Sequence, residues 1–234
     1  MIDIDQLTWT LRGRTILDHV SFRAAPRRVT GFVGPNGAGK SSTLRVLLGL
    51  QTPTSGEATI SKRRYRDFGR PLDHIGASLG GAGAHPSRRA VDHLGWVAAS
   101  HGYGRARVHE VLEQVGLAHA AKARVRTFSL GMAQRLGIAT ALLGDPEVLV
   151  LDEPINGLDP EGIRWIRTLV RRRADDGGTV LLSSHVMAEL ATVADDLVVI
   201  SGGRVRASGT VSEVVAGHGG LEEAFFALTT EEGR

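Results

Sequence analysis

The chain has 234 residues, 42% hydrophobic and 23% charged, the size and balance of one globular domain with a real core. Its net charge of +3 and pI of 9.8 rest on arginine, Lys40, Lys62 and Lys122 being the only lysines among 28 basic residues; solvated basic faces are the simpler explanation, and no nucleic-acid partner is expected. Absent cysteine excludes disulfides, thiol catalysis and cysteine metal sites, the nine histidines lack HExxH spacing, and no apolar run nears the ~20 residues of a membrane helix.

The start, "MIDIDQLTW", carries early acids and does not read as a signal peptide, so work at a membrane would need another chain to span it. Strands are expected near Ile2–Asp5 and Leu7–Leu11, then over "TILDHVSFRA" with a turn-like break at Asp18–His19. "VTGFVG" reads as a short buried strand running into a glycine-rich loop, "KSSTLRVLLGL" as the helix after it, and "TPTSGEATI" as turn then strand. From about Ser87 to Leu143 no convincing strand appears, while Val108, Val111, Leu112 and Val115 keep helical spacing. "EVLVLDEP" returns to a buried strand. Asp159 and Pro160 open a helix as cap and first-turn proline, with Ile163, Ile166, Leu169 and Val170 on one face. "TVLLSSH" is a strand, "MAELATVADD" a helix, "DLVVI" a strand and "GRVRASG" a last strand or turn. Strand and helix alternating over short links predict a mainly parallel α/β sheet.

"GPNGAGKS" is GxxxxGK[ST] in full, with Gly34, Gly39, Lys40 and Ser41, placed after a predicted strand and before a predicted helix. Glycines let backbone N–H groups wrap phosphates, Lys40 neutralises β/γ charge, and the Ser41 hydroxyl is a Mg²⁺ ligand. Asp152, ending the "VLVLD" strand, can hold the Mg²⁺ shell; Glu153 beside it can polarise an attacking water. His185, after "SS", can touch a γ-phosphate or orient that water. A second phosphate-seeking helix start lies at "RTFSLGMAQR", where Ser129 reads as an N-cap and Gly131 bares the backbone.

These motifs, in order, resemble the ATP-binding cassette (ABC) ATPases over essentially the whole chain: "GPNGAGKS" as Walker A, "FSLGM" as the signature usually written LSGGQ, "VLVLDEP" as Walker B with the catalytic glutamate, "NGLD" as D-loop and "SSH" as switch histidine. The resemblance implies an α/β P-loop ATPase core with a mainly parallel sheet, an N-terminal antiparallel β-subdomain and an inserted helical subdomain. It implies a single nucleotide-binding domain over 1–234, with the helical part at about 87–143 and a C-terminal tail at about 221–234. Gly34, Pro35, Asn36, Gly37, Ala38, Gly39, Lys40, Ser41 and Ser42 would hold ATP, with Mg²⁺ on Ser41 and Asp152 and catalysis on Lys40, Glu153 and His185. Two such domains dimerise head to tail in this family, so Ser129 and Gly131 would serve ATP on the partner's P-loop, with Asp159 at the seam. That answers why one chain carries two phosphate-directed helix starts.

Three positions depart from the family pattern. Leu130 and Met132 replace the signature's third residue and its glutamine. In "IGASLGGAGAHP" the glutamine that links Mg²⁺ to the membrane partner aligns to Gly80. The adenine-stacking aromatic aligns to Leu11, with Trp9 two residues earlier as a substitute on the same strand face.

The run "GPNGAGKSSTLRVLLGLQTPTSGEATI" and the tail "LEEAFFALT" look like bacterial ABC exporters of the drug and antibiotic-resistance type, whose membrane permease subunit is a separate chain. The expected protein is therefore a peripheral ATPase at the cytoplasmic face of the cell membrane, held by that permease and paired with a second ATP-binding subunit. The alternative is a soluble ABC ATPase with a non-membrane partner, such as nucleic acid; the doubled cassette or long coiled-coil insertion of those types is absent. A P-loop GTPase would need NKxD, and neither Asn36 nor Asn156 is followed by lysine.

Overall fold

The computed structural model describes residues 1–230. By its internal contacts the chain forms two compact units, one from Met1–Gly69 with the segment from Val170 onward, the other from Arg70–Leu169.

The first unit opens with β1 (Ile2–Leu11) and β2 (Arg14–Ala24), paired antiparallel. β1 is one strand where the sequence suggests two. Gln6 sits at φ 46 and the ladder shifts between Ile4 and Leu7, so Ile2, Ile4 and Leu7 all bury despite the parity change. The Ser21 hydroxyl accepts from Gln6 N at 2.8 Å in place of a ladder bond. The break expected at Asp18–His19 is likewise a bulge. His19 takes φ 53 and its N–H donates to Thr8 Oγ1 at 3.2 Å, while β2 runs through. β3 (Arg28–Val33) is buried at every residue after the first, which explains its unbroken apolar run. Helix α1 (Lys40–Leu47) follows. β4 (Ser55–Ile60) completes a three-stranded sheet, β2-β1-β4. Gly56, at φ 74, lies against the bulge, where a β-carbon would stand 2.2 Å from Gln6 O.

The second unit begins with β5 (Ile75–Ser78), a strand the sequence reading does not anticipate. Its Gly76 lies against α4, and a β-carbon there would fall 2.1 Å from Ala141 O. Helices α2 (Ala90–Ser100), α3 (Arg105–Gln114) and α4 (Leu130–Leu142) follow. They bury Leu94, Val108, Val111, Leu112 and Leu136. β6 (Val148–Asp152), wholly buried, pairs parallel with β5, Ser78 opposite Leu151. Within α5 (Pro160–Asp175) the chain passes back to the first unit.

There β7 (Thr179–Ser184) and β8 (Asp196–Ser201) flank β3 in parallel, and β9 (Arg204–Thr210) closes antiparallel on β8. Between them α6 spans only Met187–Leu190, shorter than the helix expected over "MAELATVADD". Asp195 pins the following chain to β3: its N–H donates to Val29 O at 2.9 Å, and its carboxylate accepts from Val29 N and Arg171 Nη1, each at 2.8 Å. Helices α7 (Val211–Val215) and α8 (Leu221–Thr229) end the described chain; the last four residues of the expected tail lie outside it.

Candidate functional site

In the first unit β3 delivers the chain into Gly34. A β-carbon there would stand 2.2 Å from Ile200 O of β8, so only glycine passes. Gly37 and Gly39 take φ 81 and φ 111, the left-handed region that turns successive N–H groups toward one concavity. Ala38 ties the loop shut, its N–H donating to Pro35 O at 3.1 Å and its carbonyl accepting from Gly203 N at 3.0 Å. Gly39 caps α1 with no side-chain hydrogen bond and no acid occupies the first turn. The helix therefore presents bare N–H groups and its positive end, an environment for anionic phosphate. Lys40 is buried, and its ammonium donates to Gly34 O at 2.6 Å and Pro35 O at 3.3 Å, which puts the positive charge inside the loop. Thr43 Oγ1 donates to Gly39 O at 2.9 Å and fixes the loop to the helix.

Parallel pairing sets Val33 opposite Ser184, so Gly34 and His185 leave adjacent strands at the same end. Ser184 Oγ accepts from Val186 N at 2.9 Å, a tight turn that leaves His185 exposed beside the loop. Trp9 and Leu11 lie on β1; Trp9 is half-buried and Leu11 is 49% exposed.

In the second unit β6 ends in Asp152, a buried carboxylate. Glu153 follows at φ 48, a left-handed conformation costly for a side-chain-bearing residue. Its carbonyl is held from two sides, by Asn156 N at 3.2 Å and by Gln134 Nε2 at 3.4 Å. Gln134 is a residue the sequence reading passes over. The available signal was a polar side chain on α4 three positions before Gly137.

Ser129 caps α4 as expected, its hydroxyl oxygen accepting from Met132 N at 3.2 Å. A β-carbon on Gly131 would approach Gly157 O to 3.1 Å, so the signature turn and the 156–159 turn pack backbone to backbone. Asp159 caps α5, Oδ1 accepting from Gly162 N at 2.8 Å. Together with His119, Arg135 and Leu158, these residues line a cavity of about 320 Å³. Arg135 is braced by Val115 O at 3.0 Å and stands 4.9 Å over the Trp165 ring. Gly80, expected from the family pattern to stand at the glutamine position, has φ 92 with nothing within 4 Å of a β-carbon; a glutamine there meets backbone strain rather than a clash.

Comparison with known proteins gives one family model, described as ABC transporter, matching residues 17–156. The bacitracin transport ATP-binding protein BcrA of Bacillus licheniformis is 39% identical over 208 residues, covering 88% of this chain and 68% of that protein. The lantibiotic transport ATP-binding protein SrtF of Streptococcus pyogenes is 35% identical over 225 residues, covering 96% of each. Among solved structures, the ATP-binding subunit of an ABC transporter superposes with a TM-score of 0.88 at 26% identity, covering 98% of this chain and 100% of that one. A dimeric bacterial ABC transporter cassette, at 24% identity and TM-score 0.81 over 90% of this chain and 98% of that one, shares the fold.

Proposed function

This chain belongs to the ABC transporter family, and we propose that it powers a separately encoded membrane permease by ATP-driven dimerisation, as the ATP-hydrolysing subunit of an exporter. The observation that carries ATP binding is the Gly34–Lys40 loop, locked by Ile200 and Gly203, with the Lys40 ammonium inside it and an uncapped α1 behind it. The exporter branch is supported by relatives named for bacitracin and lantibiotic transport.

Each residue takes a role its chemistry permits. The Gly34–Ser42 backbone and Lys40 bind and neutralise the β/γ-phosphates, and Glu153 holds the attacking water and draws its proton. His185, leaving β7 beside Gly34, steadies the γ-phosphate end. Ser129 and Gly131 close over the nucleotide of a second copy or a related cassette, with Asp159 at that seam. Mg²⁺, when bound, screens the phosphate charge. Ser41 hydroxyl and Asp152 carboxylate are the donors this chain would give it, few and hard, as suits an ion that keeps waters and takes phosphate oxygens. No cluster of three or more histidine or acidic side chains forms an all-protein metal cage among the described residues.

No helix among the described residues is long and apolar enough to cross a membrane. Attachment to the cytoplasmic face of the cell membrane would therefore run through the permease. Affinity capture of the tagged chain from solubilised membranes should co-purify an integral membrane protein that raises its ATPase rate. Recovery with nucleic acid, or with soluble proteins alone, would refute the transporter reading.

A further inference from the structure

We propose that Gln134 is a positioning residue that clamps the Gly80–Gly83 loop to the backbone of Glu153, so that order in the loop sets the aim of the proposed base. The inference rests on the assignment of Glu153 made above.

The side chain is 3% exposed on α4 and uses both ends of its amide. Oε1 accepts from Gly81 N at 3.0 Å, and Nε2 donates to Glu153 O at 3.4 Å. The two partners fix the orientation, since an N–H can only donate and a carbonyl can only accept. A carboxylate could satisfy Gly81 and not Glu153; an ammonium, the reverse. Neither would serve both, and burial makes each unmade bond costly.

The loop is built to receive this clamp. Gly80, Gly81 and Gly83 take φ 92, 65 and 60, conformations of high intrinsic freedom that need an external tie to stay ordered. One turn beyond Gln134 on α4, Gly137 makes room for the loop: a β-carbon there would stand 2.2 Å from Gly81 O and 2.9 Å from Ser78 Oγ. At the other end, Glu153 is left-handed at φ 48, and its carbonyl is held by Asn156 N and the Gln134 amide. Releasing the amide removes one of those two restraints on a strained residue whose side chain must meet a reacting water. Glu153 thus depends on a loop remote in sequence, through one side chain.

The test uses the full chain with Mg-ATP and three variants: Gln134→Met keeps the shape without the amide, Gln134→Glu keeps only the acceptor, and Gly137→Ala displaces the loop independently. The expected result for Gln134→Met is a kcat about tenfold lower, with KM and ATP affinity within about twofold of wild type. Hydrogen exchange over residues 79–85 should accelerate in Gln134→Met and Gly137→Ala, and stay slow in Gln134→Glu while its kcat still falls. In a Glu153→Gln background, Gln134→Met should lower the residual single-turnover rate no further, since both changes act through one group. Unchanged exchange in Gln134→Met would overturn the clamp. A raised KM at constant kcat, or an equal loss in both backgrounds, would overturn the positioning role. Wild-type turnover by Glu153→Gln alone would instead remove Glu153 as the base and with it the catalytic half of the proposal, the exchange data still deciding the clamp.

Discussion

A β-carbon on Gly157 would stand 2.3 Å from Cδ2 of Leu130. Leu130 fills the signature position where the family pattern has glycine, and the chain places a glycine opposite it, at φ 76. Substitution of either residue should therefore be felt at the other. Gly157→Ala should destabilise the protein by roughly 1–3 kcal/mol, combining left-handed strain with overpacking. Adding Leu130→Ala should recover the overpacking part and leave the strain. Thermal denaturation of the single and double variants checks this; a double variant no more stable than Gly157→Ala would mean that the two residues do not compete for space.

Catalysis offers the most direct test of the assigned roles. Lys40→Ala and Glu153→Gln should each end steady-state Mg²⁺-dependent ATP turnover, the first by removing charge from the phosphate loop, the second by removing the proton acceptor and leaving only a slow residual single-turnover rate. Binding should separate them: Glu153→Gln should keep ATP affinity and Lys40→Ala should lose most of it. Robust turnover by Glu153→Gln would refute the role given to that residue.

Ser129 caps α4 and is proposed to meet the partner's nucleotide as well, and substitution can divide the two roles. Its hydroxyl oxygen caps α4 through Met132 N at 3.2 Å, and in the dimer it would face the phosphates of the partner's ATP. Wild type should be monomeric without nucleotide, and Glu153→Gln with ATP should accumulate as a dimer. Adding Ser129→Asp keeps a capping oxygen but sets a carboxylate against the phosphates, so the dimer should vanish with little change in Tm. Ser129→Arg should also block assembly, by bulk, while losing about 1 kcal/mol of capping. Light scattering decides; a persistent dimer in both variants would place Ser129 outside the seam.

His93 provides a pH-dependent signature. It is 4% exposed, and its Nε2 meets Thr140 Oγ1 at 3.2 Å. Thr140 already donates its own proton to Leu136 O, so His93 must donate from Nε2 and leave Nδ1 bare. Nδ1 is buried without a hydrogen-bond partner in the structure. Burial, and then the nearby Arg88 charge, lower the pKa of His93 below the ordinary 6.5. The unfolded chain therefore takes up the proton first as pH falls, and the folded state loses stability below pH 6.5; above it the contribution is fully present. The Tm advantage of wild type over His93→Gln should shrink as pH drops from 7.5 toward about 5.5. A difference that is flat with pH would show that His93 does not titrate differently on folding.

The phosphate loop and the strand ending in Asp152 were legible because their chemistry is local: glycines at fixed offsets, a lysine, and an apolar run ending in acids. The Asp159–Pro160 helix start was legible for the same reason, cap and proline being adjacent. What escaped depends on contacts distant in sequence. β5 is only four residues, "IGAS", set by its parallel pairing with β6 and packed through Gly76 against Ala141 O. The apparent breaks at Gln6 and His19 are bulges sustained by Ser21 and Thr8, which no window around either residue reveals. α6 ends at Leu190, and five residues on Asp195 is tied to Val29 across the fold. Gln134 looks like any helix-surface glutamine until Gly81 and Glu153 are brought to its two ends.

The adenine-stacking aromatic expected from the family pattern is missing at Leu11, and β1 narrows the choices for a substitute. Leu11 is 49% exposed and offers no ring face, while Trp9 is half-buried two residues earlier, opposite Leu17 on β2. The one pairing shift that follows Trp9 falls where β2 supplies two residues for one of β1, between Leu17 and Thr15, so Trp9 and Leu11 keep a common side of β1. If Trp9 stacks on adenine, the contact should be worth about 1 kcal/mol, or several-fold in affinity. ATP should quench tryptophan fluorescence in wild type and in a Trp96→Phe/Trp165→Phe variant, whose signal comes from Trp9 alone. Trp9→Ala should weaken ATP binding several-fold, and Leu11→Tyr in that background should restore it by returning a ring to the family position. If Trp9→Ala binds ATP as wild type does, Trp9 is a packing residue of the β1–β2 pair and the adenine is held without stacking.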